Sequence, residues 1–423
     1  MTGLAAAFVL AAMIAGLLLS IPAMRRTRLR WGHPAIAWIA LELVFFGVGS
    51  AVLAVSDGRP EAALYVGAAA LVFGLAVAGS DRLARGRNPT GPRNANGPAR
   101  ELTEPSRPVR PAVVVVLAAV GIVALLPTLA KVGIPFLASD ITGARSEVGG
   151  LDLQVLRVAL PAAVLVAVIG AIRADTRRAK AVAVGAFVIA VGAELALASR
   201  YLSAELVATV GLGVVFAGRA IPARVLAASG AVGILLFASV GILRAYDQAA
   251  GRELDFAVER SVNRILLIEP RTLAALQATI PAEEPFFGGL TWLRRLGPIL
   301  GRPDIPNLGY WIYPRLFPDQ ATTGYAAPGL LGEAWANFGW LGLVVFAPLG
   351  VMAERLGALI AARRRDTADI VVAALATLFL ARTHALGLNG LVILAVLVAA
   401  WRVLVAPLGD LAKALREVAA WRL

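Results

Sequence analysis

The chain of 423 residues contains no cysteine, which excludes a disulfide framework and a thiolate metal site. Histidine is almost as scarce: His33 and His384 are the two in the sequence, too few for an imidazole-based zinc centre. Charge is thin as well. Only 16% of the residues are Asp, Glu, Lys or Arg, against about 25% in an average soluble domain. Apolar residues make up 59% of the chain, in recurrent runs of membrane-spanning length. A net charge of +13 would suit a nucleic-acid binder. The arginines, however, sit mainly in short loops between apolar runs, where they set topology. No nucleic acid is expected as a partner.

About eleven stretches reach the length of ~20 residues that a bilayer demands. They run roughly 3–24, 33–55, 61–79, 111–130, 153–172, 180–198, 203–218, 224–243, 329–353, 367–383 and 387–406. Alternate loops between them are basic: Arg25 to Arg30, Asp81 to Arg110 with seven arginines, Arg173 to Lys180, Arg219 to Arg224, Arg355 to Arg365, and the C-terminal tail. The positive-inside rule places these in the cytoplasm, the N-terminus outside and the C-terminus inside. The first run lacks a basic start and ends in arginines, so it reads as a retained span rather than a signal peptide. The expected fold is all-α and polytopic, one membrane domain over 1–423. Residues 80–110 read as a disordered basic cytoplasmic linker, Pro/Gly/Asn-rich from Asn88. Residues 407–423 gather Leu411, Leu415, Val418 and Trp421 near one face and read as an interfacial cytoplasmic helix. No internal repeat is visible, which disfavours transporters built from inverted repeats.

Residues 244–328 break the apolar pattern and are expected as one large outer loop. Within it, Leu254 to Ile268 has a helical apolar face, with Arg260 and Arg264 four residues apart on one side. Pro270 ends that helix and opens a second, Pro270 to Ala278. Trp292, Tyr310, Trp311 and Tyr313 then lie amid Gly-Pro turns. Aromatic faces with polar rims suit sugar rings, and they suit a membrane interface too. Both remain open.

Charge at a membrane edge is costly and points to function. The outer side collects Arg145, Arg200, Arg244, Arg260, Arg264 and Arg382, with His384 beside the last. Arginine held outside runs against the topological bias. A phosphate or pyrophosphate ligand would explain it, because guanidinium forks bind phosphate oxygens bidentately. Pairing with Glu194, Glu205, Asp140, Glu147 and Asp247, or lipid headgroups, is the plainer explanation. Glu333 lies about one turn inside the ninth span, and Asn337 follows four residues later on the same face. This carboxylate is either an arginine's ion-pair partner or a general base. Glu194 is expected to pair with Arg200, and Glu42 to be a buried, hydrogen-bonded acid. His384 is a proton-carrier candidate or a structural helix end.

Four stretches carry a resemblance: GIPFLASDITGARSEVGG, ASRYL, PFFGGLTWLRRLGPILGRP and GYAAPGLLGEAWANFGWLGLVV. They resemble the bacterial oligosaccharide repeat-unit polymerases of the Wzy type, the O-antigen and exopolysaccharide polymerases. The last is the most specific, with Gly332, Glu333, Asn337, Phe338, Gly339 and Gly342 matching the family's pattern. The resemblance implies a metal-independent glycosyltransferase of the membrane type C class, with one large extracytoplasmic loop carrying short helices. It would act at the outer face of the bacterial cytoplasmic membrane. It implies a donor glycan on undecaprenyl pyrophosphate and a second lipid-linked oligosaccharide as acceptor. Membrane lipid, a flippase and a chain-length regulator would be its other partners, and no cofactor is expected. Arg145, Arg200, Arg264 and Glu333 match family positions. Glu333 and His384 are the expected catalytic residues, although His384 belongs to no family motif. Arg145, Arg200, Arg244, Arg260, Arg264, Arg382 and Asn337 would hold pyrophosphate and glycan. An O-antigen-type ligase would share the chemistry and differ in its acceptor. A flippase or other transporter would need charges lining a path through mid-membrane, and Glu42 and Glu194 are few for that. A dolichyl-phosphate-style enzyme usually has a long acidic first outer loop, and here that loop is SDGRPE.

Overall fold

Proline and length decide where the helices begin and how far they reach. Pro34, Pro60 and Pro111 each open a long helix, at the position where a missing N–H costs nothing. The computed structural model describes residues 2–29, 32–87, 111–138, 150–197, 200–219, 266–296, 304–318, 324–363, 367–383 and 387–388, with single positions at 235, 239 and 263. All regular structure among them is helical. In chain order the helices are α1 (Thr2–Thr27), α2 (Pro34–Ser56, with a π turn at Leu43–Gly47), α3 (Pro60–Arg87), α4 (Pro111–Val132), α5 (Gly150–Ala174) and α6 (Arg177–Ala196). They continue as α7 (Arg200–Phe216), α8 (Ile268–Thr279), α9 (Leu308–Leu316), α10 (Gly329–Phe338), α11 (Phe346–Arg363) and α12 (Thr367–Ala381).

Among the described residues seven helices are long and apolar enough to cross a membrane, and two shorter apolar helices accompany them. The chain is therefore a helical membrane protein. Nine of the expected spans meet a described helix. Those at 224–243 and 387–406 fall almost wholly outside the described residues, and so does the 407–423 helix. The exposed apolar side chains Val113, Val115, Val116, Val120 and Val123 line the outer side of α4, the surface that lipid would cover.

Two cores hold the helices together. The first packs α1, α2, α3 and α11 around Trp38, Phe46, Tyr65, Phe73 and Phe346. The second packs α4 to α7 around Leu125, Leu156, Leu165 and Phe216. Helix α12 belongs to both: Ala374 and Leu375 enter the second, Phe379 and Leu380 the first. The Trp38 indole N–H donates to the Thr383 hydroxyl at 2.8 Å and ties the end of α12 to α2.

Helices α1 and α3 run side by side with the same polarity. Gly16 lies against Gly74, where a Cβ on Gly74 would stand 2.7 Å from the Gly16 Cα. Such small-residue contacts let backbones approach closely. At the end of this pair Arg26 bridges Asp81 at 2.6 Å and Glu354 of α11. The Ser80 hydroxyl donates to Glu354 at 2.7 Å, and Arg85 pairs with Asp81 at 2.6 Å. His33, 0% exposed, packs against Gly357. Burial, and then the neighbouring Arg26 charge, lower its imidazole to about 4 against the upward pull of Asp81. This arginine-rich end of the first core is the basic end. The opposite end is the far end.

Three features differ from the sequence expectation. First, 329–353 is not one helix. Helix α10 stops at Phe338, Gly339 adopts φ 57°, and a 3-10 turn over Gly339–Val345 precedes α11. The chain doubles back there: a Cβ on Gly342 would lie 2.4 Å from the Ala334 carbonyl oxygen. Eight residues of continuous helix would instead separate the two by about 12 Å. Glycine tolerates the positive φ that this reversal requires. Second, the segment expected as an exported loop enters the first core in its described part. Helix α8 buries Glu269, Pro270, Leu273 and Leu276, and α9 buries Leu308 and Ile312. Helix α8 begins two residues before Pro270 and ends at Thr279, close to the expected 270–278. Third, residues 80–87 of the expected linker continue α3, and 88–110 lie outside the described residues.

Candidate functional site

The far end of the first core is built where α10 breaks. Helix α10 is only ten residues long, about 15 Å, and buries Leu330, Leu331, Ala334 and Trp335. The Trp335 indole N–H donates to the Ile280 carbonyl at 3.1 Å, fixing α10 to the end of α8. Tyr65 meets Trp335 and Trp340 edge-on at 5.2 and 5.5 Å between ring centroids. Helix α10 therefore sits wedged between α3, α8 and its own return turn.

Glu333 is on this wedge. One carboxylate oxygen accepts the Leu388 backbone N–H at 2.8 Å. The Gly387 Cα lies directly beneath the carboxyl group, where a Cβ would come within 2.3 Å of it. Trp292 and Arg294, on the 3-10 turn Leu290–Leu296, lie close enough to act on the carboxylate. Tyr325 also lies within electrostatic reach. No arginine closes an ion pair on Glu333 among the described residues.

Asn337 is placed differently. Its carboxamide oxygen accepts the Gly289 N–H at 2.9 Å, and its NH2 donates to Thr291 Oγ1 at 2.6 Å and to the Glu333 carbonyl at 2.7 Å. The Phe287 and Gly288 N–H groups also donate to the carbonyls of Ala336 and Asn337, each at 3.0 Å. Asn337 is thus a clasp that holds the Phe-Phe-Gly-Gly turn on α10, with both amide hydrogens engaged inside the protein.

A second polar group lies in the second core. Arg382, 4% exposed, pairs with Glu205 of α7 at 2.7 Å. Glu194 of α6 and Arg157 of α5 lie within electrostatic reach of this pair. The Arg173 guanidinium donates to the Thr367 hydroxyl at 2.6 Å, which sets the start of α12 beside the end of α5. Arg157 and Arg382 stand about 24 and 22 Å from that level, counting rise per residue. Four charges from four helices therefore meet far from the basic end. Leu388 is six positions after Arg382, and the Gly387 N–H donates to the Thr383 carbonyl at 3.0 Å. The segment from 382 to 388 thus touches both polar groups.

Arg145, Arg244, Arg260, Arg264 and His384 lie outside the described residues, as does the side chain of Arg200, the first residue of α7. Glu194, expected to pair with Arg200, faces Glu205, Arg382 and Arg157. Glu42 is buried as expected, but among the described residues neither carboxyl oxygen has a hydrogen-bond partner, and Glu269 of α8 lies within electrostatic reach. Sequence reasoning missed Arg157, Arg294 and Tyr325. Arg157 carried a signal, a lone charge inside an apolar run. Arg294 and Tyr325 carried none. Among the described residues no three His, Asp or Glu side chains are grouped to hold a metal ion.

Compared with family models, curated proteins and solved structures, the chain matches none.

Proposed function

We propose that this protein is a membrane glycosyltransferase that polymerises undecaprenyl-pyrophosphate-linked oligosaccharide repeat units at the outer face of a bacterial cytoplasmic membrane. The observation that carries this reading is Glu333. It is the carboxylate of the Gly-Glu and Asn-Phe-Gly stretch, it stands beside a helix break at the end opposite the basic loops, and it is held by a backbone N–H without a paired cation among the described residues. In the proposed reaction an acceptor sugar hydroxyl attacks the anomeric carbon of the donor glycan. The new C–O bond forms as the bond to pyrophosphate breaks, and the hydroxyl proton passes to Glu333. Guanidinium groups stabilise the departing pyrophosphate. Arg145, Arg200, Arg244, Arg260 and Arg264 are assigned that role; Arg382, also expected to hold pyrophosphate, is instead buried and paired with Glu205. His384, two residues after Arg382, is assigned to proton relay. The basic loops support a cytoplasmic C-terminus, which puts Glu333 on the outer side.

The test is mass analysis of lipid-linked saccharides from cells with and without the protein. Loss of long glycan with a build-up of single-repeat pyrophosphate lipid, restored by the wild type, is the expected result. Long lipid-linked chains that persist without transfer to a final carrier would indicate a ligase. Single repeats trapped on the cytoplasmic side would indicate a flippase and overturn the catalytic assignment.

A further inference from the structure

Beside Glu333 the chain lays one aromatic ring flat on a glycine. A Cβ on Gly309 would stand 2.1 Å from Cε2 of Tyr325, so the Tyr325 ring rests on the bare Cα at the start of α9. The Ala326 N–H donates to the Gly309 carbonyl at 3.1 Å and fixes the strand of chain that carries the ring. Tyr310, the next residue on α9, meets the ring at 5.2 Å and 68°. One face of Tyr325 is thus seated and Tyr310 packs steeply against the ring, yet 43% of the residue is exposed, and Tyr310 is 55% exposed. The hydroxyl end of the ring is polar in its surroundings. Arg294 and Glu333 both lie within electrostatic reach of the Tyr325 hydroxyl, and Arg294 closes no ion pair among the described residues.

We propose that Tyr325, seated on Gly309 and walled by Tyr310, is a stacking platform for one pyranose ring of the acceptor glycan, which it holds beside Glu333. The acceptor role rests on the glycosyltransferase reading above; the sugar site itself does not. A pyranose fits both halves of the place. Its C–H face covers the aromatic ring, and its equatorial hydroxyls meet Arg294, Glu333 and the tyrosine hydroxyl. An acyl chain would cover the ring but strip water from Arg294 and Glu333 without replacing their hydrogen bonds. A phosphate would suit Arg294 and be repelled by Glu333.

The experiment uses the full-length protein in nanodiscs. Short oligosaccharides cut from the envelope glycan of the cells that make it are added, and binding is read by saturation-transfer NMR, which needs no turnover. Wild type is expected to saturate the C–H protons of one sugar face. Tyr325→Leu keeps apolar volume but loses the π face, and is expected to weaken binding roughly tenfold. Tyr325→Phe and Tyr325→Trp restore it. Gly309→Ala is expected to behave like Tyr325→Leu, because the new methyl lifts the ring. Should Tyr325→Leu fail to fold, the exposed Tyr310→Ala, with the wall removed, is expected to weaken binding several-fold. Equal binding by wild type and a folded Tyr325→Leu, or no binding by wild type, overturns the platform. The two proposals separate cleanly. Tyr325-dependent binding with full glycan made in cells lacking the protein removes polymerisation and keeps the platform. Glycan lost in those cells with Tyr325-independent binding does the reverse.

Discussion

The carboxylate of Glu333 lies on the Cα of Gly387 and takes the next backbone N–H, that of Leu388, at 2.8 Å. The contact joins the broken tenth helix to the segment that follows Arg382. Any side chain at 387 would collide with it, and Gly387 also holds φ 55°. Gly387→Ala is therefore expected to displace Glu333 and to cost about 1–2 kcal/mol in backbone strain alone. Polymer output in cells should fall nearly as far as in Glu333→Gln, with each variant compared at equal protein level. Glu333→Gln keeps an acceptor for the Leu388 N–H and removes the charge, so it should fold and make no polymer. Wild-type output from both variants would remove Glu333 from the chemistry.

Asn337 makes three hydrogen bonds with its side chain, and it is 1% exposed. Asn337→Ala would leave the Gly289 N–H and the Thr291 hydroxyl without their partner. That should lower stability by about 2–6 kcal/mol, at roughly 1–3 kcal/mol for each buried group left unsatisfied. Asn337→Asp is nearly isosteric, but it loses both amide donors and should be no better. Thermal unfolding in detergent, followed by tryptophan fluorescence, reads both. A clasp would lower the melting temperature in each variant, whereas a residue that only binds ligand would leave it unchanged.

What the sequence could tell followed the distance over which each interaction acts. Prolines at helix starts, apolar runs and basic loops are local, and nine expected spans meet helices in the structure. Pro270 placed α8 within two residues at its start. The reversal after Phe338 was not legible, because Gly-Trp-Leu-Gly-Leu is as apolar as a continuing span. Only the backbone of Gly339 marks the turn. The burial of α8 and α9 was hidden for a similar reason: their polar flanks resemble a solvated loop, while the buried face of α8 answers to α2, α3 and α10, and α9 packs on α8. Pairings across helices were the least visible. Arg26 and Glu354 are 328 residues apart in the chain, and nothing local in either run announces the other.

That pair makes a prediction of its own. Glu354 is 0% and Asp81 2% exposed at the side chain, and Arg26 serves both. Arg26→Ala takes the shared cation from two buried carboxylates, of which Asp81 keeps Arg85 and Glu354 the more distant Arg355, so the loss should fall at or below the low end of the roughly 3–5 kcal/mol of a fully broken buried pair. Adding Glu354→Gln to that variant removes one orphaned charge and should recover part of the loss, since the amide still accepts from Ser80. A double-mutant cycle on unfolding midpoints measures the coupling. Strictly additive effects would show that Arg26 and Glu354 do not depend on each other.

His33 sets a pH dependence whose sign follows from its surroundings. The imidazole is buried against Gly357 with Arg26 nearby, and its Nδ1 accepts the Ala35 N–H at 3.2 Å as the cap of α2. Its folded-state value of about 4 lies below the ordinary 6.5. The neutral ring is favoured in the fold, and the unfolded chain binds the extra proton first. Stability is therefore complete above about pH 6.5 and declines as pH falls from there toward 4, by up to roughly 3 kcal/mol. Below that both states are protonated and the contribution is flat. Melting temperatures measured between pH 7.5 and 4 should show this decline. His33→Asn, which keeps a capping oxygen for the Ala35 N–H, should flatten the part that His33 supplies. An unchanged slope in that variant would show that His33 does not supply the pH dependence.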